Sequence, residues 1–157
     1  MNLECVNTEK RSLKHCVYLY CDGACRGNPG PGGWGVVLRC NGCERQIFNG
    51  VSNTTNNKME LTAAIEGLKL LRYSCCVVLT TDSRYLYLGI TEWLPVWKKR
   101  QWKTGKGKTV KNKVLWKSLE YEVKRHTIYW KWVKGHSGHP ENEIADRLAN
   151  RGIDELY

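Results

Sequence analysis

The stretch His15–Asp22, HCVYLYCD, runs directly into a glycine-rich segment, GACRGNPGPGGWG, at 23–35. Val17, Leu19 and Cys21 alternate with Tyr18 and Tyr20, the pattern of a strand that is apolar on both faces and so central in a sheet. The strand ends in an aspartate. Gly23, Gly27, Gly30, Gly32 and Gly33, with Pro29 and Pro31, then predict turns. A carboxylate at the end of a buried strand costs several kcal/mol unless a counter-charge meets it. Arg26 is the only basic residue nearby. Asp22 therefore either begins the turn or binds a cation. The second reading requires further acids to reach the same sheet edge from elsewhere in the chain.

The chain has 157 residues, 41% of them hydrophobic, which suits one globular domain with a single sizeable core. No apolar run approaches the ~20 residues of a membrane span. The opening MNLECVNTEKR is too polar for a signal peptide, so a cytoplasmic location and no membrane are expected. The eight cysteines all lie in the first half and are expected as reduced thiols packed like small hydrophobes. Cys40 and Cys43 offer half of a zinc site, but no second pair follows at suitable spacing. Asn41-Gly42 between them is a two-residue hairpin signal, which would set the two cysteines opposite each other across strands.

The formal net charge is +10 and the isoelectric point is near 9.3. Between Lys98 and Lys117 stand nine basic residues and no acidic one. This balance points to an anionic polymer, nucleic acid before a membrane surface. A charge run is often only a solvated face. Here Trp93, Trp97 and Trp102 interleave with the basic residues, which solvation alone does not require.

Taken in order, residues 1–12 are expected to be a mobile N-terminal tail, leaving 13–157 as one domain. After the His15–Asp22 strand, Trp34–Arg39 and Glu44–Val51 read as two more strands in an antiparallel meander. Lys58–Leu71 is a helix, with Leu61, Ala64, Ile65 and Leu68 at helical spacing and Asn56 or Asn57 as N-cap. Val77–Leu79, running into Thr80-Thr81-Asp82, reads as a buried parallel strand after a crossover helix. Short helices follow from Ser83 and over Glu92–Lys99. The glycine- and lysine-rich loop Trp102–Lys111 is expected to be mobile. Asn112–Lys124 is an amphipathic helix, Thr127–Val133 a last strand, Gly135–Pro140 a loop, and Glu141–Arg151 a closing helix. The fold class is α/β, one domain with a mixed sheet.

Right-handed crossover places the strand of Asp82 beside that of Asp22, so both carboxylates emerge at one edge. Glu60 sits in the first turn of the crossover helix, where a capping box with Asn57 would also explain it. Asp146, beside the apolar stripe of the last helix, can be a plain surface acid. Four acids able to share one edge are harder to dismiss than any one. Clustered carboxylates repel unless cations neutralise them. Oxygen ligands without a His or Cys partner favour Mg²⁺ or Mn²⁺ over zinc.

Five segments now stand in order: DGACRGNPGPGGWG, TTNNKMELTAAIEGL, TTDSRYL, WKKRQWKT and VKGHSGHPENEIAD. Together they closely resemble type 1 ribonuclease H of the bacterial kind, over about Val17 to Arg151. The resemblance implies a ribonuclease H-like fold: a mixed five-stranded sheet, three strands antiparallel and two parallel, flanked by helices. It implies a metal-dependent endonuclease that cuts the RNA strand of RNA–DNA hybrids. Asp22, Glu60, Asp82 and Asp146 match the family's metal-binding acids, with Asp22 expected to bridge two Mg²⁺ ions and Mn²⁺ expected as a substitute for them. Two ions ~4 Å apart support in-line attack by water, leaving 5′-phosphate and 3′-hydroxyl ends. His136 matches the family's mobile histidine beside the site and would shuttle a proton or assist product release. His139 is left structural.

Distinguishing a hybrid requires sensing 2′-hydroxyls on one strand and their absence on the other. By the same resemblance, Asn28 and Asn56 approach the RNA strand, and Thr55 and Asn112 cradle a DNA phosphate. Asn53 stands where some relatives carry an arginine in that pocket. Tyr85 and Trp93 match an aromatic floor under the DNA sugars. Trp97, Lys98, Lys99, Arg100, Trp102 and Lys103 match a basic protrusion that contacts phosphates without reading bases. Arg84, beside Asp82, is expected to touch the RNA backbone. A non-catalytic hybrid- or duplex-binding module is the rival from another class, and an integrase or resolvase the rival of the same fold. All four acids being present argues against the first. The basic protrusion together with GHSGHPEN argues against the second. A monomer is expected.

Overall fold

A computed structural model describes residues 16–157, so the expected N-terminal tail lies outside the described residues. Five strands form one sheet in the order β3-β2-β1-β4-β5. They are β1 (Val17–Cys25), β2 (Gly30–Cys40), β3 (Cys43–Thr54), β4 (Cys76–Thr81) and β5 (Thr127–Trp132). The helices are α1 (Asn56–Lys69), α2 (Arg84–Leu88), α3 (Leu94–Lys99), α4 (Lys113–Lys124) and α5 (Pro140–Asp154). A single π-helical turn, Gly89–Trp93, joins α2 to α3, so the two short helices read from the sequence follow one another without a break. β1, β2 and β3 are antiparallel, while β4 and β5 run parallel to β1, as the sequence implied.

Register does the positioning. Cys21 pairs with Thr81 in the parallel ladder, which sets Asp22 beside Asp82, the first residue beyond β4. β1 itself does not end at Asp22 but runs on to Cys25 alongside β2. Odd-numbered side chains of β1 face α1 and α4, where Val17, Leu19, Leu38, Leu61, Leu68, Leu79, Trp116 and Leu119 are fully buried. Each such side chain stabilises the fold by roughly 1.5–3 kcal/mol. On the opposite face, α5 packs Ala145 and Leu148 against Val37.

Three local expectations change. Gly30, Gly32 and Gly33 extend β2 rather than turning the chain: Gly30 lies against the Arg26–Gly27 backbone, Gly32 against Thr54 and Ala24, and Gly33 against α5. A Cβ on Gly33 would stand 2.1 Å from the Ala149 carbonyl oxygen. Only glycine permits that approach. Second, the N-cap of α1 is Thr55, not Asn56 or Asn57. β3 runs on to Thr54, and the still-extended Thr55 turns its Oγ1 to accept from Lys58 N at 3.3 Å. The capping box with Asn57 is therefore absent, which leaves Glu60 free for another purpose. Third, α5 begins at Pro140 and continues to Asp154, because Gly152 and Ile153 are still buried beyond Arg151.

The cysteines divide. Cys16 and Cys76 form a disulfide across the starts of β1 and β4, so the expectation of reduced thiols fails for this pair. The parallel register that pairs Val17 with Val77 sets the two preceding residues side by side. Cys21, Cys25, Cys40 and Cys43 are free. Cys40 and Cys43 face each other across the Asn41-Gly42 turn, and no zinc-type cluster includes them among the described residues. The Trp102–Lys111 loop is drawn into a narrow hairpin, with Lys103 bridged to Thr109 and Thr104 N donating to the Lys108 carbonyl at 2.7 Å.

Candidate active site

Asp22 is buried within β1, and Gly23 immediately after it lies against Met59 and Glu60 of α1. Because the helix begins at Asn56, Glu60 stands beyond the first turn in which the sequence placed it. A Cβ on Gly23 would be 2.4 Å from Glu60 N, so the bare backbone lets α1 bring Glu60 up to Asp22. Asp82 arrives from the adjacent parallel strand. One ligand atom from each of Asp22, Glu60 and Asp82 lies within 4.8 Å of the others. This is the convergence that a cation-binding Asp22 required.

Three carboxylates this close, two of them buried, cannot all hold charge unaided. Burial, then the neighbouring Asp82 charge, pushes the Asp22 carboxyl from 3.8 up to about 8. Burial and the charges of Asp22 and Asp82 push Glu60 well above the carboxylate range as well. The Cys21 thiol, fully buried behind the same acids, is raised for the same reasons. Glu60 Oε2 is buried with no hydrogen-bond partner. An orphaned buried oxygen among repelling carboxylates fits a divalent cation, and an all-oxygen donor set suits a hard ion.

Asp146 lines the same cavity from α5 but stands outside the tight group of three. The cavity measures about 460 Å³ and is also lined by His136, Asn56, Arg84 and Tyr85. His136 is exposed, in a loop, with φ of +53° in the left-handed region. His139 caps α5, its Nδ1 accepting from Asn142 N at 3.2 Å, the structural part expected of it.

Of the remaining sequence-derived residues, Asn56, Arg84 and Tyr85 line this cavity and the others lie outside its lining. Asn28 reaches it through Asn56, whose backbone N–H donates to Asn28 Oδ1 at 2.9 Å. Thr55 is occupied as the α1 cap. Asn112 lies across from Tyr85 and donates to its hydroxyl at 3.1 Å. Trp93, Trp97 and Trp102 form a chain of ring contacts 5.9 and 6.1 Å apart. Lys98, Lys99, Arg100 and Lys103 project from α3 and the turn after it, all exposed. Lys98 is partly engaged by Glu120 at 3.3 Å. Arg84 is exposed, with its guanidinium 5.5 Å over the Trp132 ring. Trp132 in turn donates from Nε1 to the Asp82 carbonyl at 3.0 Å.

A model of the RNase H family matches residues 14–154. The chain belongs to the ribonuclease H family. The ribonuclease H of Coxiella burnetii is 73% identical over 143 residues, 91% of this chain and 93% of the relative. Ribonuclease HI of Pseudomonas syringae pv. tomato is 59% identical over 144 residues, 92% of this chain and 96% of the relative. Among solved structures, LC9-RNase H1, described as a type 1 RNase H with the type 2 active-site motif, superposes with a TM-score of 0.81. It is 36% identical and covers 90% of this chain and 74% of that one. With this kinship the chain is a ribonuclease H enzyme of type 1.

Three residues of this ribonuclease H escaped the sequence reading. Asn142 is buried on α5 and donates from Nδ2 to Asp82 Oδ2 at 3.4 Å. Its position four residues before Asp146, on the same helix face, was the available signal. Trp116 is fully buried and donates from Nε1 to the Tyr85 hydroxyl at 3.0 Å, joining Tyr85 to the core. Asn150 donates from Nδ2 to the Asp146 carbonyl at 3.0 Å and to Asp146 Oδ1 at 3.4 Å.

Proposed function

We propose that this ribonuclease H hydrolyses the RNA strand of RNA–DNA hybrids with Mg²⁺ as its cation, leaving 5′-phosphate and 3′-hydroxyl ends. The observation that carries the reading is the meeting of Asp22, Glu60, Asp82, Asp146 and His136 around one cavity. Asp22, Glu60, Asp82 and Asp146 would hold the cation. When bound, it supplies an activated water and charge compensation for the scissile phosphate. The protein's own groups do the rest. Asn28 and Asn56, locked together by their hydrogen bond, meet 2′-hydroxyls of the RNA strand. Tyr85, fixed by Asn112 and Trp116, and Trp93 meeting it edge-on offer an aromatic floor suited to deoxyribose. Thr55 and Asn112 cradle the DNA phosphate, with Asn53 standing where some relatives carry an arginine. The exposed Lys98, Lys99, Arg100 and Lys103, on a ridge backed by the half-buried Trp97 and Trp102, follow the backbone by charge and carry no sequence preference. Arg84, laid over Trp132, reaches the RNA phosphate next to Asp82. His136, at the exposed rim, shuttles a proton, taking one from the attacking water or delivering one to the departing 3′ oxygen, or assists product release.

We read the enzyme as a cytoplasmic monomer. No helix of the described residues is long and apolar enough to cross a membrane.

The test is cleavage of an end-labelled hybrid with Mg²⁺, beside Mg²⁺ plus chelator, Mn²⁺, and an Asp82→Asn variant. RNA duplex, DNA duplex and single strands of the same sequence serve as controls. The expected result is hybrid-only, metal-dependent cutting that Asp82→Asn abolishes. Tight hybrid binding without cutting under either ion would overturn the reading in favour of a binding module.

A further inference from the structure

Asn142, Asp146 and Asn150 recur every four residues and so share one face of α5. Asn150 turns its amide toward Asp146. An amide has a donor end and an acceptor end, and its orientation decides which one a carboxylate meets. Here the Nδ2 end faces Asp146, reaching both its carbonyl at 3.0 Å and Oδ1 at 3.4 Å. The Oδ1 end faces Arg26, whose Nη2 donates to it at 3.5 Å. A guanidinium only donates, so Arg26 keeps the oxygen on its own side and the N–H groups toward Asp146. Arg26 is itself anchored through Nη1 to Asp154 at 2.8 Å. With 50% and 63% of the two side chains exposed, that ion pair adds little stability; what it adds is direction.

We propose that Arg26 and Asn150 are positioning residues for Asp146. They hold its carboxylate in the rotamer that completes the cation site. The inference rests on the reading of Asp146 as a cation ligand. It gives a reason for the basic residue in the turn after β1. Asp146 does not join the close group of Asp22, Glu60 and Asp82, so its orientation is not set by them and needs another support. The turn that follows Asp22 on β1 thus governs the acid contributed from the far end of the chain.

The sign of the effect separates positioning from charge. Arg26 is a cation near an acidic cavity. Were its charge all that mattered, removing it would tighten Mg²⁺ binding. Loss of positioning weakens it instead.

The experiment uses the full chain with Arg26→Gln, Asn150→Ala and the double variant. One readout is the Mg²⁺ concentration giving half-maximal hybrid cleavage, measured with KM for the hybrid. The other is an NMR titration of substrate-free protein with Mg²⁺, followed at the Asp146 backbone amide. Outer-shell partners of metal ligands typically change affinity by ~10- to 100-fold, and contacts at the long end of hydrogen-bonding range should give less. A rise of roughly 3- to 10-fold in both half-saturation values is expected for each single variant, with KM within about 2-fold. The double variant should be no worse than the weaker single variant, since the two residues act as one unit. Unchanged or tighter Mg²⁺ binding in either single variant, or additive effects, would overturn the proposal. An Asp146→Asn variant separates this from the reading beneath it. Full activity there overturns the ligand assignment and the inference with it. Lost activity there, with unaltered Mg²⁺ dependence in Asn150→Ala, overturns the positioning role alone.

Discussion

Asn142 Nδ2 donates to Asp82 Oδ2 at 3.4 Å, tying the first turn of α5 to the end of β4. The other end of that amide, Oδ1, is buried without a partner. Asn142 thus directs one polar atom to Asp82 and leaves another unsatisfied, a poor arrangement for stability alone.

Asn142→Ala should therefore lower cleavage far more than it lowers stability. Activity is expected to fall by roughly 10- to 100-fold, the usual effect of removing an outer-shell partner. The midpoint of thermal unfolding should move little, because the cap between Asn142 N and His139 uses the Asn142 backbone and survives. Initial rates and a melt on the same samples decide it. A large loss of stability with proportionate loss of activity would mark Asn142 as merely structural.

Asp22→Asn should abolish cleavage yet stabilise the metal-free protein at neutral and alkaline pH. The Asp22 carboxyl is raised from 3.8 to about 8. The folded state thus holds a proton that the unfolded chain releases, and stability falls as pH rises through that window. The favourable contribution is complete below the unfolded value and gone above about 8. The variant removes this dependence, with a gain on the order of 2 kcal/mol near pH 8 that vanishes below about pH 4. Divalent cation should erase the difference by neutralising the native carboxylate. Denaturant unfolding from pH 4 to 9 checks it, and parallel pH curves for the two proteins would count against it.

Gly23→Ala places a methyl 2.4 Å from Glu60 N and 2.5 Å from the Met59 carbonyl carbon. Both are backbone atoms with nowhere to go. A destabilisation of about 2–4 kcal/mol is expected, with α1 pushed away from β1. Saturating Mg²⁺ should not restore the rate, because Glu60 moves with the helix. Wild-type activity in a folded Gly23→Ala protein would show that the approach of α1 is not needed.

The Cys16–Cys76 disulfide closes a loop of 60 residues between the two strands that carry Asp22 and Asp82. Cross-links of this span typically stabilise by roughly 2–4 kcal/mol. The Cys16→Ser/Cys76→Ser double variant should melt below the wild type without reductant and match it with reductant. Mass spectrometry under alkylating conditions locates the bond. Equal melting of the two proteins in both conditions would remove any stabilising role.

Replacing Lys99, Arg100 and Lys103 together with alanine should raise KM by roughly 10-fold near physiological salt, with kcat within about 2-fold. The dependence of binding on salt should flatten by about one unit of log–log slope for each phosphate that the variant no longer neutralises. These side chains are exposed and lie outside the acidic cavity, so chemistry is spared. A fall in kcat at constant KM would place them closer to the reaction than the ridge suggests.

Much of this was open to the sequence. Alternation in Val17–Cys21 and the helical spacing of Leu61, Ile65 and Leu68 report which faces are buried, because burial of apolar area acts on each element locally. The crossover rule then brings Asp22 and Asp82 together, and the motif resemblance supplies Glu60, Asp146 and His136. Local readings failed where a neighbouring element changed the terms. Glycines that look like turn formers became strand because neighbouring backbone lies close on them, α5 in the case of Gly33. Thr55 took the cap because β3 ran further than its apolar pattern. Cys16 and Cys76 met because parallel register placed them side by side, a relation between segments 60 residues apart that no local composition encodes.

The sequence by itself determined the element types, the sheet edge at which the acids meet and the family. The first two follow from periodicity, chain handedness and residue identity along the chain; the family follows from the resemblance that five segments carry together. Only the tertiary structure decided what holds the acids in place: Asn142 on Asp82, Asn150 and Arg26 on Asp146, bare Gly23 under Glu60. Each is a contact of a few ångströms between side chains and backbone that local patterning leaves open. Whether it forms depends on how α1 and α5 settle on the sheet, and packing fixes that only when the whole core closes.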